Sequence, residues 1–204
     1  FLDDFIDENK IDIVIISIAG PKLDNSSIQM TKKNITFDSK EIKEKYNLTE
    51  CILLNDWEAI AYSYDYIKEH IEYIKKGSPF NDINLFLGPG TGLGAAISFN
   101  NDIVVATEVG NTINSSFSMQ KNYNINSDHH LFLEDFVSGS AISSIYKLKT
   151  DTEISSEEVY TKYKENDVIA EEVINAFIKS LAETLSDLAL TFIPGNGILL
   201  AGSL

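Results

Sequence analysis

The 204-residue sequence has one cysteine, one tryptophan and four prolines. A lone Cys51 excludes an internal disulfide framework and a cysteine-built metal cluster. Positive charge is scarce too: 16 basic residues stand against 31 acidic ones, a formal net charge of −15. A chain this acidic offers no basic surface to nucleic acid or to an anionic membrane. An anionic ligand stays open to it if backbone N–H groups do the binding. No apolar run approaches the ~18 residues of a membrane span, and no signal peptide is legible. The content, 44% hydrophobic and 23% charged, is that of a soluble protein of one or two domains. A cytoplasmic location is expected.

Strand-like and helix-like stretches alternate, which predicts an α/β fold in two lobes. "FLDDFIDENK" reads as the last turns of a helix. "IDIVIISIAGP" is a β-branched run closed by Gly20-Pro21 and predicts a strand buried on both faces. A polar hairpin up to Phe37 and a short helix capped by Asp38 or Ser39 should follow. "CILLND" predicts a second buried strand. "WEAIAYSYDYIKEHI" predicts a helix whose Tyr62, Tyr64 and Tyr66 suit core and lobe packing. Lys75–Pro79 is the linker candidate and divides the chain into 1–78 and 79–204. Three short strands come next, "INLFLG", "GAAISF" and "DIVVAT", with a hairpin turn at Asn100-Asn101. Residues 111–130 read as a loop and "LFLEDFVSGSAISSIYKL" as helix, turn, helix. Residues 168–192 carry an apolar stripe every three or four positions, the longest predicted helix. The sequence opens on Phe1 and stops in a strand and glycine turn, "GILLAGSL", which suggests a piece cut at both ends.

Two stretches carry chemistry. In "LLNDWEAIAYS" a strand ends on Asn55-Asp56 just before a helix. Open α/β sheets place ligands at the carboxyl ends of their strands. There Asp56 can act as general base on a hydroxyl while Asn55 holds another. The plainer alternative is a helix N-cap by Asp56. In "LGPGTGLGAAIS", Gly88, Gly90, Gly92 and Gly94 alternate around Thr91. Such a backbone turns sharply and aims successive N–H groups at an anion, with Thr91 adding a hydroxyl. The pattern is neither a P-loop nor a Rossmann turn, and a ligand-free glycine hairpin is the alternative. Glu108 and Glu134, each taken alone, read as solvated charges. With Asn55, Asp56 and Asn111 they offer the paired donors and acceptors that a polyhydroxylated ligand such as a sugar needs. His129-His130 reads as a solvated surface pair.

The succession "IAGP", "LLNDWEAIA", "LGPGTGLG", "TEVGN", "LEDFVSGSAISSIY" and "GILLAGS" resembles the bacterial glucokinase family. The resemblance implies an α/β, two-lobed actin-like (ribonuclease-H-like) sugar kinase fold. Residues 1–78 would belong to a first, smaller lobe and 79–204 to a second. It implies ATP-dependent phosphorylation of a hexose, glucose before others, with ATP and Mg2+ as cofactors. Asp56 would be the catalytic base on the 6-hydroxyl. Asn55, Glu108, Asn111 and Glu134 would bind sugar, and Gly90, Thr91, Gly92 and Gly202 the nucleotide. The implied partners are sugar and nucleotide, without nucleic acid or membrane; a homodimer is left open. Departures exist. The family's histidine in "GEGGH" is Asn111 and its first glycine is Thr107. "TN" reads Thr31-Lys32, and the tryptophan after it is Ile35. "SGPG" has become Ser138-Gly139-Ser140-Ala141. These leave the hexose open and keep a second reading, a non-catalytic sugar-binding regulator or degenerate kinase on the same fold. The family's first phosphate loop and the end of its nucleotide site would lie outside residues 1–204.

Overall fold

The computed structural model describes residues 5–6, 11–31, 33–100, 102–113 and 116–202. Of the expected N-terminal helix only Phe5 and Ile6 are described, both helical. Lys32 and Asn101 lie outside the described residues. The chain divides into two compact units, Phe1–Ile71 and Glu72–Leu204, against the expected 1–78 and 79–204.

In the first unit, β1 (Ile13–Ile18) pairs in parallel with β4 (Glu50–Asn55), Ile18 standing opposite Asn55. Between them β2 (Ser27–Gln29) and β3 (Thr36–Asp38) form the expected hairpin. Helix α1 (Ser39–Lys45) starts on Asp38, whose carboxylate accepts the N–H groups of Lys40 and Glu41. Ile18, Ile28 and Leu53 form the core, with Met30, Phe37 and Ile42 against it. Strand β1 is not buried on both faces as expected: Ile13 and Ile15 are 54% and 61% exposed. Among the described residues β1 pairs with one strand and meets one apolar layer, so its alternating side chains divide between core and solvent. The helix after β4 is broken into α2 (Asp56–Tyr62) and α3 (Tyr64–Ile67). The break falls at Ser63, whose hydroxyl donates back to the Ile60 carbonyl at 2.7 Å. Tyr66 on α3 is 86% exposed, and Tyr62 is exposed as well, which overturns their expected packing role.

In the second unit β5 (Ile83–Pro89), β6 (Leu93–Phe99) and β7 (Ile103–Thr107) form an antiparallel meander. Strand β8 (Gly197–Leu200) adds in parallel to β5, giving the order β7-β6-β5-β8. Four helices follow in sequence: α4 (Ser116–Tyr123), α5 (Gly139–Thr150), α6 (Ser156–Lys164) and α7 (Val168–Phe192). The last matches its apolar stripe. Helix α4 lies inside the expected loop at 111–130. Its composition is polar, and it is held by two buried residues, Met119 and Tyr123; the Tyr123 hydroxyl donates to the Phe136 carbonyl at 2.5 Å. Where a helix was expected before the Ser-Gly turn, a single 3-10 turn, Leu133–Asp135, is found. One apolar core built on Leu85, Leu87, Phe136, Ile145 and Val173 joins sheet and helices. No helix of the described residues is long and apolar enough to cross a membrane.

Candidate active site

In the first unit, Asn55 closes β4 and opens α2. Its Oδ1 accepts the Trp57 N–H at 2.8 Å, and the Glu58 carboxylate accepts the Asn55 N–H at 2.9 Å, a capping box. The cap is therefore Asn55, and Asp56 is the first helical residue. The Asn55 side-chain amide also donates to the Gly20 carbonyl at 3.0 Å. Both ends of this buried amide are thus engaged by backbone. Gly20 has φ +155°, and a side chain there would run into the Gln29 carbonyl oxygen, so the chain needs glycine at that corner. Buried Glu58 also pairs with the Lys22 ammonium at 2.8 Å. Two contacts, Asn55 to Gly20 and Glu58 to Lys22, fasten the loop after β1 to the turn after β4. The sequence reading missed Glu58 and Lys22. The spacing Asn55-x-x-Glu58 is a capping-box signature and could have shown the first; nothing marks Lys22. Asp56 is half-buried, and burial pushes its carboxyl above the usual carboxylate range, with hydrogen bonds from Trp57 and Asn55 opposing. An upward shift is what a general base working near neutral pH requires.

In the second unit three segments interlock. The turn between β5 and β6 is closed by the Gly90 N–H donating to the Gly92 carbonyl at 2.8 Å. The Gly139 N–H, at the start of α5, donates to the Gly90 carbonyl at 2.8 Å. After β7, Asn111 donates through Nδ2 to Glu108 Oε2 at 3.1 Å, both residues being exposed. The Leu133 N–H donates to the Thr112 carbonyl at 2.8 Å, which brings Glu134 to this segment. Glu134 Oε2 accepts the Leu93 N–H at 3.4 Å and lies over Gly92. The fold of this unit thus brings Glu108, Asn111 and Glu134 together with Gly92. A Cβ built on Gly202 would stand 3.4 Å from the Pro89 carbonyl oxygen, so Gly202 reaches the entrance of the same turn.

Beside Gly90 and Thr91 opens a pocket of about 230 Å³, lined further by Ser140, Ser143, Ser155 and Glu157. Ser140 belongs to the altered "SGPG" stretch; the sequence reading did not single out Ser143 or Ser155. Ser155 is legible in retrospect: Ser155-x-x-Glu158 is a capping box at the start of α6. The pocket lining holds hydroxyls, backbone and one carboxylate, and no lysine. All 16 basic residues of the chain are lysines, so no guanidinium fork for phosphate exists in it. Such a lining suits hydroxyl-bearing and hydrogen-bonding ligand parts. A resident metal finds no three-ligand cluster of His, Cys, Asp or Glu among the described residues. His130 is not the solvated residue expected. It is 8% exposed, with Nδ1 2.8 Å from Ser127 Oγ and Nε2 3.3 Å from Ser144 Oγ. Gln120 holds the turn beneath α5 by bonds to Ser127 and His130, and burial pushes the imidazole pKa down.

The glucokinase family model matches residues 1–204, the whole chain. The chain belongs to the glucokinase family. A glucokinase of Campylobacter jejuni subsp. doylei is 30% identical over 92% of this chain and 61% of its own length. This chain spans about 60% of the curated glucokinases it matches. Among solved structures, a glucokinase from an Antarctic psychrotroph has TM-score 0.71 at 22% identity, covering 93% of this chain and 64% of that one. A ROK family transcriptional regulator has TM-score 0.70 at 18% identity, covering 98% and 53%. These likenesses show the fold, the actin-like α/β fold of the sugar kinases. Of the departures expected from the resemblance, Asn111 meets Glu108 and Ile35 is 46% exposed.

Proposed function

We propose that the protein phosphorylates a hexose from ATP, with glucose the first candidate. The observation that carries this is the packing of Glu134 on Gly92: a carboxylate suited to sugar hydroxyls lies against a glycine turn suited to phosphate. In this reading Glu108, Asn111 and Glu134 hold sugar hydroxyls, which need fixed donors and acceptors in place of water. Thr91 and Gly92 present N–H groups, and Thr91 a hydroxyl, to the donor's phosphates; Gly90, whose N–H closes the turn on the Gly92 carbonyl, and Gly202 border them. Mg2+ would be brought by the nucleotide and would supply charge neutralisation there. Asp56 accepts the proton of the 6-hydroxyl as that oxygen bonds to the γ-phosphorus and the bond to the leaving ADP breaks. Its half-buried position supports the role. Asn55 orients it: the cap and the bond to Gly20 fix the turn on which Asp56 begins. Positioning and charge stabilisation are the main sources of rate in phosphoryl transfer.

The test is a coupled assay of ADP release with a hexose panel on the full-length protein, wild type against Asp56→Asn. Loss of a general base costs about 10²–10⁴ in kcat. Because Asn55 supplies the cap, Asp56→Asn removes the base without removing the helix start. Turnover in the variant near that of wild type would sink the assignment. A second reading, a sugar-binding regulator, is favoured by Asn111 in place of the family histidine. It predicts hexose binding without ADP release in the wild type.

A further inference from the structure

Gly92 is the residue that the proposed function assigns to phosphate, yet its surroundings concern the sugar side. A Cβ built on Gly92 would stand 2.5 Å from Glu134 Oε2 and 3.5 Å from its Cδ. Its φ lies outside the left-handed region, so the backbone does not require glycine there; the space does. Gly90, two residues away in the same turn, has nothing within 4 Å of such a Cβ. The Glu134 backbone is fixed independently. Ser138 Oγ donates to its carbonyl at 2.6 Å, and the neighbouring Leu133 N–H is tied to Thr112. Among the described residues, the carboxylate meets the Leu93 N–H at 3.4 Å, the bare face of Gly92, and Gly110, whose built Cβ would be 3.4 Å from Oε2.

We propose that Gly92 is a positioning residue for the sugar-binding carboxylate of Glu134, so that the phosphate turn and the sugar site of this unit are one piece and their ligands bind with linked affinities. The inference rests on the hexose kinase reading above. Any movement of the turn on binding a nucleotide shifts the Leu93 N–H and the Gly92 face, and with them the carboxylate. Linkage makes the effect reciprocal: sugar that pulls on Glu134 must alter nucleotide affinity by the same factor. A methyl group on Gly92 meets the far end of a flexible side chain, so the carboxylate gives way and the fold is retained.

The experiment compares Gly92→Ala with Gly77→Ala in the full-length protein, measuring glucose affinity by calorimetry without nucleotide and then with a non-hydrolysable ATP analogue. Gly92→Ala should weaken glucose binding roughly tenfold or more with no nucleotide present, the scale of a lost charged hydrogen bond. Gly77→Ala, where a built Cβ meets nothing within 4 Å, should leave it within about twofold. The ratio of glucose affinities with and without the analogue should fall toward one in Gly92→Ala alone. A third variant guards against a trivial folding defect. Glu134→Asp retracts the carboxylate by one methylene, so adding Gly92→Ala to it should cost much less than in the wild type, a non-additivity expected of groups in contact. If Gly92→Ala alone fails to fold, the double variant should recover the fold. Equal effects of the two glycine variants, or strictly additive effects of Gly92→Ala and Glu134→Asp, would overturn the inference. A wild-type protein that binds glucose keeps the hexose reading in that event; one that binds no hexose defeats both.

Discussion

Replacing Asn55 by alanine tests the account of the first unit at its most connected point. The side chain satisfies the Trp57 N–H at 2.8 Å and the Gly20 carbonyl at 3.0 Å, and it is 6% exposed. Loss of an N-cap costs about 0.5–2 kcal/mol. The Gly20 carbonyl is buried and cannot recover its bond from bulk water, which adds about 1–3 kcal/mol. The Glu58 bond to the Asn55 N–H does not depend on the side chain and survives. The sum is about 1.5–5 kcal/mol, or about 3–20 °C in Tm for a chain of this size. Trp57 is the chain's single tryptophan and sits two residues from the change. Its fluorescence during urea unfolding reports this unit selectively. Asn55→Ser separates the two contributions: serine caps as well as asparagine but is too short for Gly20. It should lose only the carbonyl contribution. An alanine variant within about 0.5 kcal/mol of wild type, no more than the smallest loss of a cap alone, would refute the reasoning. So would a serine variant as damaged as alanine.

Other outcomes follow from the same geometry. Burial raises the folded-state pKa of Asp56 above its unfolded value. The stability this lends is complete below about pH 4 and is lost as pH rises through the folded value. Asp56→Asn should therefore be at least as stable as wild type at pH 7, with no such advantage at pH 3, checked by urea midpoints at both. For His130 the sign reverses: burial holds the ring neutral, so stability is present above about pH 6.5 and lost as pH falls toward the lower folded value. His130→Gln should flatten that limb of a Tm–pH curve; an unchanged limb would place the titrating group elsewhere. Asn111→His should change the relative kcat/KM for glucose and its epimers, because imidazole reaches further than the amide and can become charged. A flat panel would remove Asn111 from the sugar site.

Sequence and structure agree where the physics is local and periodic. The stripe over 168–192 is a helix with those limits, and Asp38 caps its helix as its residue type suggests. They part where tertiary surroundings decide. Ile13 and Ile15 read as core because β-branched runs usually are, but a strand with one apolar layer exposes every second residue. Helix α4 was hidden because two core contacts, Met119 and Tyr123, hold a segment with almost no apolar face. At the candidate site, residue types alone nominate Asn55, Asp56, Glu108 and Glu134. They did not reveal that Asn55 rather than Asp56 is the cap, nor that Glu134 is set by the absence of a side chain at Gly92. The latter is a contact across 42 positions, for which a single sequence has no signal.

The charge balance leads to a last prediction. A chain of net charge −15 without arginine is a poor host for a triphosphate at long range: the summed field repels it. Short-range recognition would fall to the backbone N–H groups of Thr91 and Gly92, whose dipoles act over a few ångströms and are little affected by salt. Lys147 and Lys149, at the far end of α5, are committed to Glu153 and to Glu172. The long-range repulsion, in contrast, is screened. The Debye length falls from about 30 Å at 0.01 M salt to about 8 Å at 0.15 M. ATP binding should therefore tighten, or at least hold, as potassium chloride is raised through that range at fixed Mg2+. Phosphate sites built on lysine and arginine behave in the opposite way, weakening as salt competes for the cations. Titrations of the nucleotide across the salt series decide between them. A steady loss of affinity with salt would mean that a cationic side chain holds the phosphates and that the glycine turn has been given the wrong role.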